Sequence, residues 1–406
     1  MAASSSSFQK RTKTKLIEIS GTRASLYNNQ LLVSSGIPSL DAVLGGGVAV
    51  GTVLLIEEDA SSMHAQLMLK YFAAEAIVTG QALTFVSADQ DPHKIIKDLP
   101  APVSADPTEK GDAWSDQHSA EGGTDEKMSI AWRYQNQPNH LRDLSTQFGH
   151  YYDLTKTMEE SKVNSSNVQC ISFADLLLQK LKKFYCLQLK QFCKSHSFTK
   201  HTNPRYTCLL KKIQKRIEEG HFGTGFVGEN RKILRIAIQS LGSPFWGENG
   251  GIHAQSKERD ASLLRLLLAL RATLRTAFAI AFITIPRHLF QDDAFVWRLE
   301  QLCDTVLRLQ SFGASEKEKG HVFKDYSGLL HVIKLPCLNE LVTHMPETLD
   351  LAFRLRRKKF TIEKLHLPPE LSDTSGREQD DPVPLLHPVV SCGSTRPTAL
   401  STKLDF

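Results

Sequence analysis

Ser35-Gly36-Ile37-Pro38-Ser39-Leu40-Asp41, Leu44-Gly45-Gly46-Gly47 and Gly51-Thr52-Val53-Leu54-Leu55-Ile56 form the stretch on which the fold turns. The glycine cluster reads as a tight turn, because glycine accepts backbone geometry that other residues resist. It leads into the apolar, β-rich run Thr52 to Ile56, which reads as a buried strand. Met63 to Val78 follows with helical spacing: Leu67, Tyr71, Ala74 and Val78 share one face, and Gly80 ends it. Ala82 to Ser87 is the next strand. Strand, helix and strand in that order predict a parallel sheet with helices on its faces.

The residues between that strand and its helix carry the first functional reading. In a nucleotide-binding loop the strand runs into glycines and a Gly-Lys-Ser/Thr, which wrap and neutralise phosphates. Here it runs into Glu57-Glu58-Asp59-Ala60-Ser61-Ser62-Met63-His64. Three carboxylates stand where phosphate oxygens would lie. No lysine offers a charge and no glycine lets the backbone approach. Gly45 to Gly47 and Gly51 precede the strand, whereas phosphate-binding glycines follow it. A second strand, Ile233 to Ile238, reads as a Walker B strand, which ordinarily ends in a carboxylate serving magnesium. It ends in Gln239-Ser240, and a neutral amide gives magnesium little. Glu248 lies beyond, in Pro244 to Gly251, which reads as an exposed loop. The expectation is a RecA-like α/β fold, a parallel sheet with helices on both faces, that lacks a functional P-loop. Its work would be assembly or recognition rather than catalysis.

The regular pattern resumes further along. Tyr206 to Glu219, Ser262 to Thr276 and Phe295 to Leu302 read as helices. Ala279 to Ile285, Thr305 to Leu309 and Leu329 to Lys334 read as strands. Residues 100–128 carry little apolar periodicity and read as an insertion, with a short strand at Ile130 to Tyr134 after it. Residues 155–205 are polar and lysine-rich and read as a second insertion with one helix, Ala174 to Gln191. The domain then spans 16–371, with disordered tails over 1–15 and 372–406.

Bulk composition narrows the class. The chain has 406 residues and 41% hydrophobic content, enough for a sizeable core. Its 49 basic residues face 44 acidic ones, for a net charge of +5, which permits a polyanionic partner without requiring one. Seven irregularly spaced cysteines read as reduced thiols of the cytosol or nucleus. Met1 to Ser7 lacks the apolar region of a secretory signal, and no apolar run is long enough for a membrane span. Cys186, Cys193, His196, His201 and Cys208 cluster, but their spacing fits no paired zinc framework, so no metal site is expected. No Gly-x-Ser-x-Gly or His-Glu-x-x-His anchors a hydrolase. Arg354, Arg356, Arg357, Lys358 and Lys359, between Phe353 and Phe360, form the densest basic run. Cations beside aromatics suit phosphate contact and base stacking, and such runs also serve as solvated faces or subunit interfaces.

Several blocks together resemble one family. They are Ile19-Ser20-Gly21-Thr22-Arg23, Leu44 to Asp59, Ile130-Ala131-Trp132-Arg133-Tyr134-Gln135 and Phe148-Gly149-His150-Tyr151-Tyr152-Asp153. Leu241-Gly242-Ser243-Pro244 and Phe360 to Pro369 complete the set, with the terminal Lys403-Leu404-Asp405-Phe406. They are similar to the PAXNEB family, the fourth subunit of the eukaryotic Elongator complex. The resemblance implies a RecA-like subunit without catalytic residues. It implies a heterohexameric ring with Elongator subunits five and six that binds tRNA. Through the separate catalytic subcomplex, that assembly supports carboxymethyl-type modification at carbon 5 of the wobble uridine. It implies no cofactor within this chain, with ATP, where it acts, at the ring interfaces, and a cytoplasmic, partly nuclear location. Candidate tRNA contacts are Arg356, Arg357, Lys358 and Lys359. The residues alone leave two alternatives: a stand-alone RecA-like ATPase with a divergent P-loop, and a DNA-binding module.

Overall fold

The computed structural model describes residues 19–25, 30–103, 148–177, 203–226, 231–247, 261–312, 326–339 and 345–365. In chain order the strands are β1 (Thr22–Ala24), β2 (Leu31–Val33), β3 (Val48–Ala49), β4 (Val53–Glu58), β5 (Ala82–Val86), β6 (Pro100–Pro102) and β7 (Tyr152–Thr157). They continue as β8 (Val168–Ile171), β9 (Leu234–Ile238), β10 (Ala279–Pro286), β11 (Thr305–Ser311), β12 (Gly328–Lys334), β13 (Leu351–Leu355) and β14 (Phe360–Lys364). The helices are α1 (Pro38–Val43), α2 (Met63–Val78), α3 (Pro92–Lys97), α4 (Glu160–Ser165), α5 (Phe173–Leu177), α6 (Pro204–Glu219), α7 (Ala261–Arg275) and α8 (Asp293–Leu302).

The main sheet has nine strands in the order β14-β13-β12-β11-β4-β10-β9-β5-β8. The six from β11 to β8 run parallel, and β12, β13 and β14 extend the sheet antiparallel. Every residue of β4, β5, β9 and β10 is buried. These strands are mostly apolar because both faces are covered, with Arg235 of β9 and Glu57 and Glu58 of β4 as the charged exceptions. Leu54 and Ile56 of β4 face one core with Met68, Leu69 and Phe72 of α2. Val53 and Leu55 face the other, with Leu209 and Ile213 of α6, Leu266 and Leu270 of α7 and Phe295 and Leu299 of α8. Helices therefore cover both faces of a large, mostly parallel sheet.

The turn before the sheet has a steric requirement. Gly36 has φ +85°, and a Cβ there would come within 2.4 Å of the Tyr71 carbonyl oxygen, so α2 packs directly on glycine backbone.

Three findings differ from the sequence reading. β4 runs through Glu58, two residues past the expected end, and Glu57 and Glu58 pair in register with Ile285 and Pro286. Within the segment read as the 155–205 insertion, Val168–Ile171 is the parallel edge strand β8 beside β5. An edge strand needs little apolar content, and only Ile171 of the four is buried. Pro244–Trp246 is a 3₁₀ turn with Trp246 fully buried, so this part of the expected exposed loop is anchored in the core. The Trp246 indole donates to the Ser240 carbonyl at 2.9 Å.

The expected strand Ile130 to Tyr134, both tails, and most of 100–128 lie outside the described residues, as does 178–202, including Cys186, Cys193, His196 and His201. No helix among the described residues is long and apolar enough to cross a membrane.

Candidate functional site

The carboxyl edge of the parallel strands is where open α/β sheets place their ligands. At the end of β4 that edge is occupied by the chain's own side chains. Glu58, last in β4, is 2% exposed. Its Oε2 accepts from the Ser62 hydroxyl at 2.7 Å and its Oε1 from the Ser240 hydroxyl at 2.9 Å. Ser62 leads into α2, and Ser240 lies just past β9. Both serines have left-handed backbones, φ 54° and 45°, a conformation costly for a residue with a Cβ. Two strained serines thus converge on one buried carboxylate. Asp59 caps the same turn, accepting from the Ser62 amide at 2.9 Å and the Ser61 hydroxyl at 3.0 Å.

The remaining residues of this stretch point elsewhere. Glu57 is fully buried and accepts from Arg308 Nε at 2.5 Å, while Arg308 also reaches Glu300 at 3.2 Å. Burial and the neighbouring Glu57 carboxylate push the Glu300 carboxyl up to about 7. Met63 is exposed. His64 turns toward β11 and β13, its Nδ1 3.0 Å from the Ser311 hydroxyl and its ring 4.7 Å from Phe353. Burial lowers its pKa. Gln239 is buried at the end of β9, its Oε1 without a hydrogen-bond partner. The structure therefore brings Glu58, Asp59 and Ser62 together with Ser240, and separates them from Met63 and His64.

A second polar cluster lies under α2. Arg235, in the middle of β9, is fully buried. Its Nε donates to Gln81 Oε1 at 2.6 Å, its Nη1 to the Ser34 carbonyl at 2.7 Å, and its guanidinium stacks 4.8 Å from the Phe72 ring. Glu75 of α2 receives the Tyr152 hydroxyl at 2.6 Å and lies 3.1 Å from His150 Nδ1. Burial alone would raise Glu75, but His150, Arg235 and Tyr152 together hold it below the usual carboxylate range. Sequence reasoning missed this cluster. Its one signal was a lone arginine in an apolar strand, which needs buried acceptors.

The basic run forms the tip of the β13–β14 hairpin. The Arg356 amide donates to the Lys359 carbonyl at 2.9 Å and the reverse bond is 3.2 Å, leaving Arg357-Lys358 as a two-residue loop. Arg356, Arg357 and Lys358 are exposed. The Lys358 carbonyl accepts from the Leu154 amide at 3.1 Å, tying the tip to β7. Lys359 behaves differently: its ammonium lies 4.1 Å over the Tyr151 ring. Arg354 is a strand residue, 3.8 Å from Glu363.

Comparison with known proteins gives a consistent result. The model of the PAXNEB protein family matches residues 15–389. Elongator complex protein 4 of Danio rerio is 43% identical over 385 residues, covering 93% of this chain and 93% of that protein. Elongator complex protein 4 of Homo sapiens is 44% identical over 372 residues, covering 89% of this chain and 83% of that one. The Saccharomyces cerevisiae protein of the same name is 22% identical over 386 residues, covering 88% and 78%. With nearly its whole length matched by the family and by relatives of one name, the chain belongs to the PAXNEB family.

Proposed function

We propose that this chain is the fourth subunit of an Elongator complex, a non-catalytic member of a RecA-like heterohexameric ring with subunits five and six. In this reading the ring binds tRNA and supports carboxymethyl-type modification at carbon 5 of the wobble uridine, the chemistry belonging to a separate catalytic subcomplex. The observation that carries the proposal is the match to the PAXNEB family over residues 15–389, with relatives named Elongator complex protein 4.

The sheet supports the RecA-like part. β4 lies between β10 and β11, both later in the chain, in a parallel block β11-β4-β10-β9-β5. The β4–α2 connection supports the degenerate-P-loop part. Asp59 to Ser62 contains no glycine and no lysine, and Glu58 engages the hydroxyl of Ser62 at the start of α2. A helix N-terminus that would otherwise favour phosphate faces an internal anion, which disfavours a second one. This weighs against a stand-alone ATPase. ATP, where it acts, belongs at ring interfaces, and the protein works in the cytoplasm with a nuclear fraction.

The test is affinity purification of the tagged chain from cells, with mass spectrometry of what stays bound. The proposal expects Elongator subunits five and six in near-equal amounts with the catalytic subcomplex. Recovery of the chain without them would overturn it.

A further inference from the structure

Beside the basic tip is a cleft of about 310 Å³, lined among others by Pro38, Tyr71, Tyr151, Tyr152, Phe360 and Glu363. A cleft of this size is at the small end of ligand sites and holds one planar heterocycle. Its walls are built rather than accidental. The Tyr71 and Phe360 rings are 6.4 Å apart, and Tyr71 and Tyr152 are 5.6 Å apart. Tyr152 is fixed from behind by its bond to Glu75, and the Phe360 amide is 3.4 Å from the Tyr71 hydroxyl. Tyr151, next in sequence to a fully buried tyrosine, is 52% exposed. Lys359 holds one face of its ring.

The charges lie at the rim. Arg356, Arg357 and Lys358 project from the hairpin turn; no ion pair within 4 Å is seen for them among the described residues, though the Lys358 charge favours the ionised form of nearby Asp153. Lys156 is exposed on the neighbouring strand β7. Two carboxylates share the neighbourhood. Asp153 is engaged by the amide and hydroxyl of Thr155, and Glu363 by the Thr361 hydroxyl at 2.8 Å. An aromatic cleft with a cationic rim matches a flat base attached to a charged backbone. A base inside a duplex has both faces already stacked and cannot enter.

We propose that this cleft receives one unpaired nucleotide of RNA, its base against Tyr151 and its flanking phosphates at Arg356, Arg357 and Lys358. The inference rests on the tRNA-binding reading above and narrows it: the hairpin reads a looped-out or single-stranded nucleotide rather than a helical stem. Tyr151 supplies the stacking ring, and Lys359, which also lines the cleft, lies over one of its faces. Specificity for unpaired RNA comes from the stack, whereas the rim cations add affinity for any polyphosphate.

The experiment compares a short oligouridylate, a blunt RNA duplex and whole tRNA, binding each by anisotropy to the full chain with its co-purified partners. Tyr151→Ala should weaken oligouridylate binding by about 5- to 150-fold, the loss of one stacked base. It should leave duplex affinity and every salt slope unchanged, and Tyr151→Trp should restore binding. Thr361→Trp, which fills the cleft and keeps Tyr151, should weaken the same ligand, so a folding defect in one variant does not decide the outcome. The triple change Arg356→Ala, Arg357→Ala, Lys358→Ala should lower the salt slope for all three ligands. If neither cleft variant affects the oligouridylate while the triple variant lowers the tRNA slope, the cleft inference is wrong and the tRNA reading stands. If the wild-type assembly binds no tRNA, the tRNA reading itself is wrong.

Discussion

Arg235 is the residue whose removal should damage the fold most sharply. It is a fully buried cation in a parallel strand, with two charge-assisted bonds, to Gln81 Oε1 at 2.6 Å and the Ser34 carbonyl at 2.7 Å. Arg235→Met keeps the volume and the contact with Phe72 but leaves both acceptors unpaired. Each buried acceptor stranded in this way costs about 1–3 kcal/mol. Glu75, in the same cluster, also loses the positive charge that favours its ionised form. Recovering the desolvation of the guanidinium offsets part of this, so the net expectation is about 3–5 kcal/mol, as for breaking a buried ion pair by removing one partner. That is a large fraction of the roughly 5–15 kcal/mol that stabilises a domain. Urea unfolding of the full chain, followed by tryptophan fluorescence, measures it. In a Glu75→Gln background the same substitution should cost about 1–2 kcal/mol less, because no buried anion is left behind. A cost below about 1 kcal/mol, or strict additivity with Glu75→Gln, would refute the reasoning.

The isolated chain should neither bind nor hydrolyse ATP, because Glu58 faces the start of α2 and Gln239, not a carboxylate, follows β9. Micromolar binding by calorimetry that is lost on changing Ser61 to His64 would contradict this. Replacing Arg356, Arg357, Lys358 and Lys359 together with alanine should lower the slope of log affinity for tRNA against log salt by about 0.7–0.9 per lost phosphate contact, and assembly should survive. An unchanged slope would assign the run to a solvated face, and a broken assembly would assign it to a subunit interface. Stability should also depend on pH through Glu300. Its folded pKa, about 7, is raised above the ordinary 4.5, so its stabilising contribution is complete below the unfolded value and is lost as pH rises through 7. Melting temperatures should fall across that window in the wild type and less so in Glu300→Gln; parallel curves would rule the group out.

Most strands legible in the sequence were central ones, and Leu329 to Lys334, which is the outer strand β12, was legible as well. β5, β9, β10 and β11 are buried along most of their length, and a largely apolar run is legible without knowledge of neighbours. The end of β4 was not legible. Two glutamates read as a loop, and the groups that make them tolerable inside a strand, Ser240 and Arg308, lie 182 and 251 residues away. The β13–β14 hairpin escaped for a different reason: its two-residue turn is Arg357-Lys358, without the Asn-Gly or Asp-Gly signal of such turns. The same basic residues were visible as candidate phosphate contacts. Tyr151 was visible only as a letter in a family-like block, since its exposure follows from Tyr152 being drawn inward to Glu75.

The central claim, that the protein serves an Elongator complex in wobble-uridine modification, is tested most directly on tRNA itself. Cells lacking the protein should contain bulk tRNA depleted in carboxymethyl-type uridines when nucleosides are measured by mass spectrometry. Re-expression of the wild-type chain should restore them, as should a variant changed only at an exposed site away from the hairpin. Wobble uridines at wild-type levels in cells lacking the protein would contradict the account, whatever the fold.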